Sequence, residues 1–180
     1  MAWEYLQTSE WDKRLEIIAK FLKGKTAGKS IFDIDCGTAR LLDFIDHDFA
    51  SYYGNDINPA YIAEANGRDV PNTVFETLDD KYLMDVDLNP IDILLAIGMG
   101  AGEYVINKYE SKTLTDIFKR IVDEYKPGIV VAETIKAYWD KHFANLLNPF
   151  MEKRGYKNLI QEVSLEKTFT GERVIAFYVQ

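Results

Sequence analysis

The run IDILLAI, Ile91 to Ile97, limits the fold more than any other stretch of the chain. It is apolar almost throughout, so a strand built from it needs cover on both faces. A parallel sheet flanked by helices supplies that cover. The rest of the pattern agrees, because short apolar runs alternate with longer amphipathic ones. Trp11, Leu15, Ile18, Ala19 and Leu22 follow helical spacing, and Gly24 lies just past the helix end. Strands are predicted at Ser30–Ile34, Ser51–Asn55, Thr73–Thr77, Ile91–Ile97 and Ile129–Ala132. Helices are predicted at Thr38–Ile45, from Pro59 to about Asn66, at Ser111–Tyr125, and from about Lys136 to Lys153 with a kink or split at Pro149. Two final strands, Lys157–Lys167 and Glu172–Val179, meet through Thr170-Gly171 and form an antiparallel hairpin. The expected fold is α/β. It is a three-layer sandwich with a mostly parallel seven-stranded sheet, a C-terminal antiparallel hairpin and helices on both faces.

Composition narrows the partners. The chain has 180 residues, enough for one domain with one substantial core. Lys and Arg number 21 against 29 Asp and Glu, a net charge of −8. That charge repels nucleic acid backbones and anionic membranes, which points to small molecules or another protein as partners. Cys36 is the one cysteine, so an internal disulfide and a multi-cysteine zinc site are excluded. No apolar run reaches the roughly 18 residues that span a membrane, and the N-terminus shows no signal-peptide pattern. A soluble, cytoplasmic protein is the expectation.

In open parallel sheets, ligands bind at the carboxyl ends of the strands. Strand one delivers Asp33 to Ala39 there, in a tight turn that leads into the next helix. Gly37 can adopt backbone angles closed to other residues. Strand two ends in Gly54-Asn55-Asp56, and an acidic side chain at that point can accept hydrogen bonds from ribose hydroxyls. A dinucleotide dehydrogenase would need Gly-x-Gly-x-x-Gly in the first turn, but Gly37 stands there alone.

The segment Asp33-Ile34-Asp35-Cys36-Gly37-Thr38-Ala39 resembles the first motif of class I S-adenosylmethionine (SAM)-dependent methyltransferases, an acidic residue, an apolar one, then Gly-x-Gly-x-Gly. The likeness continues in order through YYGNDINPAYIAEAN, VFETLDD, IDILLAIG, YKPGIVVAET and MEKRGYKNL. It spans roughly Lys29 to the C-terminus, so the chain reads as one domain. Residues 29–180 form a Rossmann-like core, and residues 1–28 form an N-terminal helical segment whose Trp3, Tyr5 and Trp11 could act as a lid. The resemblance implies SAM as cofactor. Asp33, Asp35, Cys36, Gly37 and Ala39 would form the first turn, and Asp56 would hold the ribose. Ile57 would lie against the adenine, with Asp79 or Asp80 meeting its amino group, and Leu78 would be a further cofactor-binding residue. Ala96 and Gly98 would lie beneath the methionine part.

Two family glycines are replaced here, by Asp35 and Ala39. The Asp35 carboxylate repels the cofactor carboxylate or attracts its ammonium and sulfonium, whichever lies nearer, by about 1–4 kcal/mol at about 4 Å. On the acceptor side, the segment after strand four, GMGAGEYVINKYES, offers Glu103 as the first candidate base and Tyr104 as an acceptor contact. Glu133, at the end of strand five, is read as pointing to the same edge. His142 is read as a packing or surface residue, His47 is read as following the first crossover helix, away from the strand ends, and no metal-ligand cluster is visible. The resemblance implies methyl transfer to a small-molecule or protein acceptor, and the short acceptor side leaves room for a homodimer to complete the site. The alternative is a non-catalytic module that binds SAM, its demethylated product or a partner.

Overall fold

The computed structural model describes residues 9–86, 88, 90–99, 111–164 and 172–180. Helix α1 (Ser9–Leu22) leads into β1 (Ser30–Ile34). Then follow β2 (Ser51–Asp56), α2 (Pro59–Asn66), β3 (Thr73–Thr77), β4 (Ile93–Met99), α3 (Ser111–Tyr125) and β5 (Ile129–Ile135). The chain closes with α4 (Ala144–Glu152), β6 (Lys157–Ser164) and β7 (Glu172–Val179). The seven strands form one sheet in the order β3-β2-β1-β4-β5-β7-β6. Strands β1 to β5 pair in parallel, while β7 runs antiparallel to both β5 and β6. This is the expected three-layer α/β architecture with its terminal antiparallel pair.

Period-two alternation divides the apolar residues between two cores. Phe32, Leu94, Val130, Ala176 and Tyr178 face one side and pack under Phe118, Ile121 and Val122 of α3 and Leu147 and Met151 of α4. Their neighbours Ile31, Leu95, Val131 and Phe177 face the other side, under Leu15, Ile18 and Leu22 of α1 and Ile62 of α2. Each large apolar side chain buried this way contributes about 1.5–3 kcal/mol relative to exposure. Strand order reverses between β1 and β4, so the carboxyl ends of these strands frame the crevice where such sheets take ligands.

Several local expectations change, among them the end of β5, which runs past the predicted Ala132 to Ile135. No α-helix spans Thr38–Ile45; a 3₁₀ turn at Arg40–Asp43 replaces it. Ala39, just before it, sits in the left-handed region at φ 53°, and Phe44, just after it, leaves helical angles at φ −120°. Leu41 and Leu42 are still buried, and His47 Nε2 lies 2.8 Å from the Leu42 carbonyl oxygen, which a longer helix would have used. The fourth strand begins at Ile93, two residues later than predicted. Asp92 is taken up in closing the strand starts, where its carboxylate accepts from the Ser30 N–H at 2.9 Å. The helical run after β5 is irregular at Trp139–Phe143, where a π turn closes with the Ala144 N–H donating to the Trp139 carbonyl oxygen. Pro149 instead lies inside the continuous helix α4.

Candidate cofactor site

The first turn keeps the backbone of a glycine-rich loop with only one glycine. Asp35, Gly37 and Ala39 have φ of 53°, 57° and 53°. All three positions where the family carries glycine are thus left-handed, two of them with L side chains. That conformation costs an L residue roughly 1–2 kcal/mol, less for Asp. Tertiary contacts hold it in place. The Cys36 N–H donates to the Asn55 carbonyl oxygen at 2.8 Å, and the Gly37 N–H donates to Asp56 Oδ2 at 3.1 Å.

Asp56 joins the turn to the second strand. Its Oδ1 accepts from the Asn58 N–H at 2.7 Å, and Asn58 in turn caps α2 by accepting from the Ala60 N–H at 3.0 Å. Burial raises the Asp56 pKa, while the Asn58 and Gly37 amides oppose the rise. Each carboxylate oxygen accepts one backbone hydrogen bond and keeps a second lone pair for a ligand hydroxyl. Ile57, beside it, is 39% exposed, a large apolar side chain left partly in solvent at the strand edge. Leu78 and Asp79 follow at the end of β3. The Leu78 N–H donates to the Asp56 carbonyl oxygen at 3.1 Å, and Asn55 Nδ2 donates to the Leu78 carbonyl oxygen at 3.2 Å. The structure therefore brings Asp35, Gly37, Asp56, Ile57, Leu78 and Asp79 to one edge.

Cys36 packs. A Cβ placed on Gly54 would come within 2.8 Å of its Sγ and 2.8 Å of Phe75 Cδ1, so the absence of a side chain at Gly54 makes room for both. Burial and the nearby carboxylates push the thiol pKa far above its ordinary value, so it is no nucleophile. Ala96 is fully buried between Ile34 and Ala132, its register partners, and forms the floor below the strand-four exit. Gly98 sits above it at φ 88°, where the β4–β5 register breaks between Ile97 and Met99. Glu103 and Tyr104, and the lid residues Trp3 and Tyr5, lie outside the described residues. Trp11 belongs to α1 and Asp80 to a 3₁₀ turn, but their side chains, like that of His142, are outside the description.

Sequence reasoning placed Glu133 at the open edge; the structure buries it completely. Its Oε2 accepts from Arg14 Nη1 of α1 at 3.1 Å, and its Oε1 accepts from Arg173 Nε of β7. Burial alone would raise its pKa, but Arg173, Arg14 and the Gly98 amide outweigh burial and hold the carboxyl below its ordinary value. Arg14 and Arg173 were missed. Arg14 gave a signal, since it falls on the apolar stripe of α1 between Trp11 and Ile18, where an ordinary solvated arginine has no place. A second clasp, the bidentate pair Arg40–Asp12 at 2.7 and 2.6 Å, ties α1 to the residue after the turn. A separate groove of about 400 Å³ between α1 and the segment before β2, lined by Glu16, Lys20, Lys23, Phe44 and Asp46 among others, lies toward the amino ends of the strands, away from this site.

The strand order, with its C-terminal antiparallel pair, is that of the Rossmann-like class I methyltransferase fold. Solved structures with this fold match the chain along nearly its whole length. The methyltransferase domain of bacterial CtHen1 is 18% identical, with 95% of this chain and 98% of that one covered and a TM-score of 0.69. The N-methyltransferase NodS from Bradyrhizobium japonicum WM9 is 10% identical, with 97% and 98% covered and a TM-score of 0.72. Magnesium protoporphyrin IX methyltransferase from Synechocystis PCC 6803 with bound SAH, the demethylated cofactor, is 13% identical, with 95% and 83% covered and a TM-score of 0.70. No protein-family model matches the chain, and no curated protein matches it in sequence.

The residues present fit the cofactor. The turn backbone is in glycine-like conformation, Asp56 retains acceptor capacity, and an apolar side chain stands beside it. A buried carboxyl oxygen at the head of the turn, Asp33 Oδ1, has no hydrogen-bond partner among the described residues.

Proposed function

We propose that the protein is a SAM-dependent methyltransferase acting on a small-molecule or protein acceptor. The observation that carries this reading is the first turn. Asp35, Gly37 and Ala39 are all left-handed, and the Gly37 amide is bonded to the carboxylate that ends β2. The two positions without glycine thus still take left-handed angles that glycine adopts freely. When bound, the cofactor supplies a methyl group already activated by its sulfonium. The chain's own residues hold the ribose through Asp56 and flank the adenine with Ile57, Leu78 and Asp79, with Gly98 at the strand-four exit. Glu103 and Tyr104 are the proposed acceptor-side groups, with Glu103 as base where the nucleophile carries a proton. Charge supports the acceptor class, because a chain of net charge −8 disfavours nucleic acid. A cytoplasmic protein, with a second copy completing the short acceptor side, belongs to the same proposal.

Isothermal titration with SAM tests it. The expected result is saturable binding that Asp56→Ala abolishes, followed by transfer of label from methyl-labelled SAM to a component of a small-molecule and protein extract. Absence of heat and of thermal shift at millimolar cofactor would overturn the reading. Binding with no transfer to any acceptor would leave a cofactor-binding module in its place.

A further inference from the structure

Asp33 opens the turn and is 3% exposed. Its Oδ2 accepts from the Tyr52 hydroxyl at 2.5 Å, and its Oδ1 is buried with no hydrogen-bond partner among the described residues. The groups that face it are Tyr52 and Asp56 from β2, Cys36 from the turn and Arg14 from α1. Arg14 is the one cation of the four, and its Nη1 donates to Glu133. Arg40 and Arg68, the other arginines around the turn, are bonded to Asp12 and to Asp43 with the Thr38 carbonyl oxygen. No salt bridge joins Asp33 to any described side chain. A carboxylate so placed is costly, and only a proton or an incoming cation relieves it.

The proposed cofactor supplies such a cation. With its sulfonium, ammonium and carboxylate it carries one net positive charge, whereas the demethylated product is neutral. We infer that Asp33 is the charge-selective residue of the cofactor site: binding of the sulfonium form releases the Asp33 proton to solvent, and the neutral product does not. The inference rests on the proposed cofactor. Proton and charge balance, since the site exchanges one positive charge for another on binding and takes the proton back once the methyl group and its charge have left. The product then meets a protonated, less attractive site and departs more readily. Arg14 acts through Asp33 as a positioning residue, because its charge sets how easily the proton leaves.

The experiment is calorimetry with SAM and with its demethylated product between pH 5.5 and 7.5, each in two buffers of different ionisation enthalpy. Burial raises Asp33 to about 7, with Tyr52 and Arg14 opposing the rise. SAM affinity is therefore expected to fall by up to about tenfold per pH unit below 7, with proton release approaching one. Product affinity is expected to stay flat. Asp33→Asn flattens the SAM profile and narrows the preference, and Arg14→Met moves the rise to higher pH. Carbon-13 NMR of the Asp33 carboxyl in the free protein should show its titration near 7 and the same upward move in Arg14→Met, whatever binds. Equal pH profiles for the two ligands, or an unchanged SAM profile in Asp33→Asn, overturn the inference while leaving the cofactor reading intact. Binding of neither ligand overturns the cofactor reading and the inference together.

Discussion

Replacing Asp33 with Asn tests the buried carboxyl through stability alone, with no ligand. Burial raises its pKa from 3.8 to about 7. The native state thus holds this proton where the unfolded chain has already lost it. The group's favourable contribution is complete below 3.8 and is lost as pH rises through about 7. At about 1.4 kcal/mol per pH unit, the native state is destabilised by roughly 4 kcal/mol above that point. An amide cannot ionise, so Asp33→Asn removes this cost. Its oxygen still accepts from the Tyr52 hydroxyl, but its NH₂ is left without a partner, at about 1–3 kcal/mol. The variant should be more stable than the parent by roughly 1–3 kcal/mol at pH 8 and less stable by a similar amount at pH 4. Urea unfolding of both proteins across pH 4 to 8 measures the difference, in which every other titrating group cancels. Tyr52→Phe, which removes the bond favouring the charged form, should move the crossing to higher pH. A difference that does not change with pH would show that Asp33 titrates as an ordinary exposed carboxyl, and the reasoning would fail.

Other substitutions probe the surroundings. Gly54→Ala drives a methyl into Cys36 and Phe75 and should cost about 1–3 kcal/mol in chemical denaturation. Adding Cys36→Ala should recover at least about 0.5 kcal/mol in a double-mutant cycle. Glu133→Gln leaves Arg14 and Arg173 without their shared buried anion and should lower stability by about 3–5 kcal/mol by the same assay. Asp35→Gly should stay within about 1 kcal/mol of the parent, because relief of the left-handed strain offsets the extra freedom of glycine when unfolded. Asp35→Val, β-branched at positive φ, should instead lose about 1–2 kcal/mol or more, read as a fall in thermal midpoint.

The sheet edge that carries the candidate site was legible because it depends on local order. An acidic residue 23 positions after Asp33 matches the spacing of two neighbouring parallel strands, and Asp56 ends β2 beside β1, although the connection between them holds a 3₁₀ turn and no α-helix. Glu133 was placed on the correct strand but not in the correct environment. Its partners come from α1 and β7, 119 and 40 residues away, and no short-range pattern signals such a pair. The helix predicted at Thr38–Ile45 had the right apolar spacing, but the left-handed Ala39 before it and the close return to β2 leave room only for a 3₁₀ turn.

The sequence by itself determined the layers of this protein and the edge of its sheet that carries the candidate site. Alternation and apolar run length decide which faces must be covered, while the strand order β3-β2-β1-β4-β5-β7-β6 was supplied by the structure. Only the tertiary structure decided the electrostatics. Whether a carboxylate is solvated, paired or stranded depends on what packs over it. Packing of α1 brings Arg14 to Glu133 and pairing with β7 brings Arg173, while Asp33 has no salt bridge among the described residues. Composition records the net charge of −8, but burial decides where in the molecule a single charge matters.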